Sequence, residues 1–263
     1  MIEVRVLGIG ALGPGLADWA GGRALLREPA AWHRRSTVVP PPGRLSPTER
    51  RRAGTVVKAS MWVADEAVAA AALDPALLAT VFTSSTGDPA NCHHLCEALA
   101  APERLVSPTR FTNSVHNAAA GSWHIATHSR QPSTSLAAFD ASFGAGLLEA
   151  AVQCLTAQAP VLLVACDVPY PEPLHALRPV ADVFALALVL TPPAAAGRRL
   201  RLEVRSEEEP TPCGEARLEE LRRTIPAARA LPLLQALAGV TAVSVVLEGL
   251  PGMALRLQVG APA

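Results

Sequence analysis

PSTSLAAFDASFGAGLLEA, Pro132 to Ala150, is the stretch whose reading decides the fold. An apolar strand from Pro132 to Ala138 runs into a tight turn, and a helix of small residues follows from Ser142 to Ala157. Many α/β enzymes hold a nucleophile on such a turn, because the N-terminus of the following helix favours negative charge. Here the apex carries Phe139, Asp140 and Ala141, with Ser142 opening the helix and neither a cysteine nor a serine elbow motif in place. The turn offers a setting for acyl chemistry and leaves out the residue that performs it.

Strands and helices alternate on either side of this stretch. Ile2 to Gly8 alternates apolar and charged residues and reads as a strand, followed by a short helix over Leu16 to Arg27. Ser46, Pro47 and Glu49 are the N-cap, first-turn proline and capping-box acid of a helix running to about Leu73. That helix places Ala53, Val57, Met61, Ala64, Val68 and Ala71 on one face, a stripe that packs on a sheet. Leu78 to Ser84 reads as a strand, and Asn91 to Leu99 and His116 to Ala126 as helices. Pro160 to Cys166 is almost unbroken apolar sequence, the mark of a central strand covered on both faces. Val183 to Leu190 is the next strand. This order argues for an α/β fold with a mixed sheet and helices on both faces.

The tail has a different texture. Leu200 to Glu207, Ala242 to Leu247 and Met253 to Val259 read as strands, the last two joined as a hairpin by Gly249 to Gly252, with helices between Glu215 and Ala238. The acidic run Glu207, Glu208 and Glu209 reads as a solvated loop. The expected division is a domain over 1–195 and a small strand-rich C-terminal appendage over 196–263 that completes or caps the sheet.

Composition narrows the function. The 263 residues carry 23 basic and 23 acidic side chains, so no global field recruits nucleic acid or an anionic membrane. Lys58 is the only lysine, and the arginines are scattered without interleaved aromatics, which argues against a nucleic-acid site. The longest apolar run, Ala159 to Cys166, is too short to span a bilayer. An odd set of five cysteines and an N-terminus without signal-peptide regions predict a cytoplasmic protein with free thiols. Cys154 and Cys166 read as inert core thiols.

Other candidate sites are weaker. Cys92 and Cys96 share a helix face beside His93, but no second ligand pair stands at a metal-site spacing, so no metal is expected. Neither FTSSTGD nor GIGALGPG fits a phosphate-binding fingerprint, and no cofactor is expected. Asp140 reads either as the N-cap of the helix beginning near Ser142 or as a group with a chemical role. His116 and Asn117 read as elbow-packing residues with a structural hydrogen-bonding role, against acid-base work for His116.

Four segments, FTSSTGD at Phe82 to Asp88, SPTRFTNSVHNAAAGSWHIAT at Ser107 to Thr127, the elbow itself, and PVLLVACDVPYPEPLHALRPVAD at Pro160 to Asp182, resemble the β-ketoacyl synthase-like N-terminal domain family. The resemblance is to short synthase-like proteins of aryl polyene and xanthomonadin-type pigment pathways. It implies a thiolase-like fold with a βαβαββ half-thiolase core, and dimerisation through the strand before the elbow. It also implies that Asp140 stands at or within a residue of the nucleophilic cysteine of ketosynthases. A carboxylate cannot carry a thioester through a ping-pong cycle, and no copy of the second half with its two catalytic histidines is visible.

The implied function is therefore a non-catalytic accessory subunit of a type II fatty acid or polyene system, like the chain-length factors. Its partners would be a ketosynthase subunit, an acyl carrier protein, or both, with a homodimer equally open. This reading predicts an exposed apolar face on Ser133 to Ala138 for the partner to cover. The alternative is an acyl-thioester enzyme using Asp140 and His116 as general base and acid.

Overall fold

The computed structural model describes residues 1–262. In chain order the elements are β1 (Ile2–Leu12), α1 (Trp19–Arg27), α2 (Pro47–Arg52), α3 (Thr55–Ala71), β2 (Ala79–Thr83), α4 (Pro89–Ala100), α5 (Pro108–Thr112), α6 (Ala118–Thr127), β3 (Ser133–Leu136) and α7 (Ser142–Ala157). They continue with β4 (Val161–Asp167), α8 (Leu174–Leu177), β5 (Phe184–Thr191), β6 (Arg198–Ser206), α9 (Ala216–Thr224), α10 (Leu231–Ala238), β7 (Val243–Glu248) and β8 (Met253–Val259). All eight strands form one sheet in the order β3-β2-β4-β5-β1-β6-β8-β7. The pairs β2–β3 and β2–β4 are parallel, and every other pairing is antiparallel.

Strand alternation explains the two cores. In β4, Val161, Leu163 and Ala165 turn to one face while Leu162, Val164 and Cys166 turn to the other, and all are buried. β5 divides in the same way, with Phe184, Leu186 and Leu188 opposite Ala185, Ala187 and Val189. On one face α3 and α6 supply Met61, Ala64, Val68 and Trp123. On the other, α7, α9 and α10 supply Phe143, Leu147, Leu218, Leu221, Leu234 and Leu237.

The C-terminal strands extend the sheet instead of forming a separate layer. Leu200 of β6, Leu257 of β8 and Val245 of β7 bury themselves in the same core as Leu163 and Leu186. A side chain at Gly144 in the first turn of α7 would lie 2.7 Å from the carbonyl oxygen of Glu248 on β7. The sheet therefore curls so that its far end meets the helices packed on its near end.

Three sequence expectations need correction. The helix after Ser46 is broken: the capping box of Ser46 and Glu49 opens α2, α2 ends at Arg52, and Gly54 begins α3. Ala53 consequently lies outside the helical stripe. Gly54 permits the break because a side chain there would sit 2.1 Å from a carboxylate oxygen of Asp88. The N-terminal strand runs on through GIGAL to Leu12, because Gly8 and Gly10 let α3 lie directly on it. The strand before the elbow is short, and its most exposed residue is Ser133, so β3 offers an open backbone edge and not the exposed apolar face expected. Among the described residues no helix is long and apolar enough to cross a membrane.

Candidate functional site at the elbow

Between β3 and α7 the chain makes a 3-10 turn over Phe139–Ala141. Phe139 holds φ at +52°, a left-handed conformation that disfavours a bulky side chain. Two contacts stabilise it. The Ser142 hydroxyl donates to the Phe139 carbonyl at 2.6 Å and accepts from the Ala138 N–H at 3.0 Å, closing the turn. The Arg178 guanidinium lies 3.7 Å from the centre of the Phe139 ring, a cation–π stack. From below, Thr83 on β2 donates to the Ser142 carbonyl at 2.8 Å.

Asp140 does not cap α7. The cap position belongs to Ala141, and no side chain accepts from the first-turn amides. The carboxylate turns away to two arginines: Arg178 donates to one oxygen at 2.6 Å and Arg229 to the other at 3.0 Å. Arg178 follows α8, and Arg229 lies in the 3-10 turn Pro226–Ala230 before α10. Pairing with two full positive charges, one on each oxygen, replaces a cap that could offer only partial charge from backbone amides.

His116 lies apart from this network. It is exposed, just before α6, with its ring near Gly87, and no hydrogen bond joins it to Asp140. Asn117 is also exposed and precedes α6 without a side-chain capping bond. The elbow is instead contacted by Arg178, Arg229, Tyr170 behind Arg178, and Thr83. Arg178 sits inside the segment PLHALRPVAD, so its motif was visible though its role was not. Arg229 carried no signal among so many arginines.

The three buried thiols are held protonated. Burial pushes Cys154 up to about 11 and Cys213 to about 12, and raises Cys166 further still. On α4, the imidazoles of His93 and His94 both turn to Glu97, at 3.2 and 3.0 Å. Among the described residues no three metal-ligating side chains gather.

At the ends of β2 and β4, beside the elbow, the Asp167 carboxylate is buried and accepts from Ser84 Oγ at 3.2 Å, Ser85 N–H at 2.8 Å and Ser85 Oγ at 2.7 Å. Burial raises its pKa to about 6 despite these bonds. The SSTGD loop is thus pinned to β4 by a carboxylate.

The family model described as β-ketoacyl synthase, N-terminal domain, matches residues 26–244. The chain belongs to that family. Compared with curated proteins by sequence, it has no match.

Solved structures agree on the fold. A chain of the ketosynthase (ApeO) in complex with its chain length factor (ApeC) from Xenorhabdus doucetiae is 21% identical, with a TM-score of 0.75 over 98% of this chain and 99% of that one. The complex AntDE:AntF, a type II PKS acyl-carrier protein with its ketosynthase bound to the hexaketide, gives 13% identity and a TM-score of 0.76 over 99% of both chains. The ishigamide ketosynthase/chain length factor gives 15% and 0.72 over the whole of both chains. This β-ketoacyl synthase family member has the thiolase-like α/β fold, and its elbow carries an ion-paired aspartate.

Proposed function

We propose that this chain is an accessory, non-condensing subunit of a type II fatty acid or polyene system of the aryl polyene kind, working beside a ketosynthase and an acyl carrier protein. The observation that carries the reading is the double ion pair of Asp140 with Arg178 and Arg229 at the elbow. Both oxygens of the group standing where the family places its nucleophile are taken by guanidinium hydrogens. The two ionic bonds orient the carboxylate toward Arg178 and Arg229. The alternative acid-base reading gains nothing from His116, which is exposed and makes no hydrogen bond to Asp140.

Two surface features support partners. β3 is an unpaired sheet edge beside the elbow, and the similar solved complexes join a ketosynthase to its chain length factor. Arg51, Arg52 and Arg110 line an open polar groove of about 420 Å³, and among the described residues none of them pairs with a carboxylate. A phosphate-bearing carrier arm suits such a surface. A homodimer through β3 is the competing assembly. The division proposed is a synthase-like domain over 1–195 and a C-terminal segment over 196–263 whose strands complete the sheet.

Co-expression with candidate ketosynthases, followed by size measurement and an acyl-thioester turnover assay, tests this. Co-elution with a ketosynthase and no turnover by the isolated chain is the expected result. A chain that stays alone and turns over acyl thioesters by itself overturns it.

A further inference from the structure

Asp140 does not balance the charge gathered around it. A cavity of about 220 Å³ opens against Asp140, Arg178, Arg223 and Arg229, bounded by Val180 and Pro226. Three guanidinium groups line it against one carboxylate. Arg223 has only a loose 3.7 Å contact with Glu219, and Arg222 already holds both Glu219 oxygens, at 2.8 and 2.7 Å. The Nε–H of Arg178 is buried and has no hydrogen-bond partner.

A buried donor left without an acceptor is disfavoured, and native proteins rarely leave one unless something completes it. The planar fork of arginine matches the oxygens of carboxylate and phosphate. At roughly 30 Å³ per water, the cavity holds about seven waters, so it admits a group of a few heavy atoms. Val180 and Pro226 form apolar walls beside the three guanidinium groups.

We propose that this cavity is a binding site for a small dianionic oxyanion, either a dicarboxylate or a phosphate group, held by Arg178, Arg223 and Arg229. Two uncompensated positive charges set the preference for a dianion over a monoanion. The site lies within one chain and goes beyond the accessory-subunit reading, since it needs no protein partner.

Thermal unfolding of the full chain, titrated with succinate and separately with inorganic phosphate at constant ionic strength, tests the proposal. At least one of the two should raise the melting temperature saturably, with sodium chloride as the matched control. Arg223→Gln, at an exposed position, should weaken the apparent affinity tenfold or more. Asp140→Asn, which removes the competing negative charge, should tighten it. Arg130→Gln, at an exposed arginine that lines neither this cavity nor the groove beside α2, should leave it unchanged. Absence of a saturable shift with either anion, or an equal shift in Arg223→Gln, overturns the site. Neither result bears on co-elution with a ketosynthase, so failure here and failure of the accessory reading are read from different measurements.

Discussion

Asp167 shows how one buried carboxylate sets a pH dependence. Desolvation lifts it from 3.8 to about 6, and the bonds from Ser85 and Ser84 only partly offset that rise. Between pH 4 and 6 the folded chain therefore keeps a proton that the unfolded chain has released. Stability from this group is present at low pH and is lost as pH rises through about 6. A shift of this size corresponds to about 3 kcal/mol. Asp167→Asn cannot titrate, so its stability, measured by urea unfolding from pH 4 to 7, should gain on the native chain by about that amount across the window. Parallel curves for the two proteins would contradict the assignment. Asp140, by contrast, shows the limit of residue-level reading. Its position was legible from the elbow, but the partners that decide its behaviour lie 38 and 89 residues further on.

Among the elements, α3 and β1 make the closest approach. A methyl group on Gly10 would lie 2.0 Å from the Val63 carbonyl oxygen, and one on Gly8 the same distance from that of Ala67. Backbone cannot move out of the way as a side-chain tip can, so Gly10→Ala should lose about 3 kcal/mol or more in urea unfolding. Gly43→Ala, where nothing stands within 4 Å, should stay within about 0.5 kcal/mol. A tolerated Gly10→Ala would mean that the helix can lift off the strand. The elements themselves were largely readable: α7 and β8 keep the bounds their periodicity gives, and the unbroken run of β4 is the doubly covered strand it resembles. What composition could not reveal was why GIGAL is glycine-rich. That answer depends on which helix crosses the strand, a tertiary fact. The break at Gly54 was hidden for a similar reason, since the apolar stripe continues in phase while Asp88, from another loop, fills the space beside it.

For the whole molecule, the open question is what covers β3. The sheet ends at both β7 and β3, and β3 leads directly into the elbow and is braced from α7, through Gln153 donating to Thr134 at 2.8 Å. Thr80 N–H donates to the Pro132 carbonyl and Ser84 N–H to that of Leu136, so the even-numbered residues of the strand face β2. In a parallel ladder the alternate residues then direct their N–H and C=O groups outward, which leaves Ser133 and Ser135 to meet a partner strand. Ser135→Pro removes one outward donor without touching the β2 ladder. If assembly with a ketosynthase or a second copy runs through this edge, the variant should keep its circular dichroism spectrum and elute as a single chain where the native protein elutes as a pair. A variant that still pairs would move the interface elsewhere, to a surface that needs no strand addition, such as the arginine-lined groove beside α2.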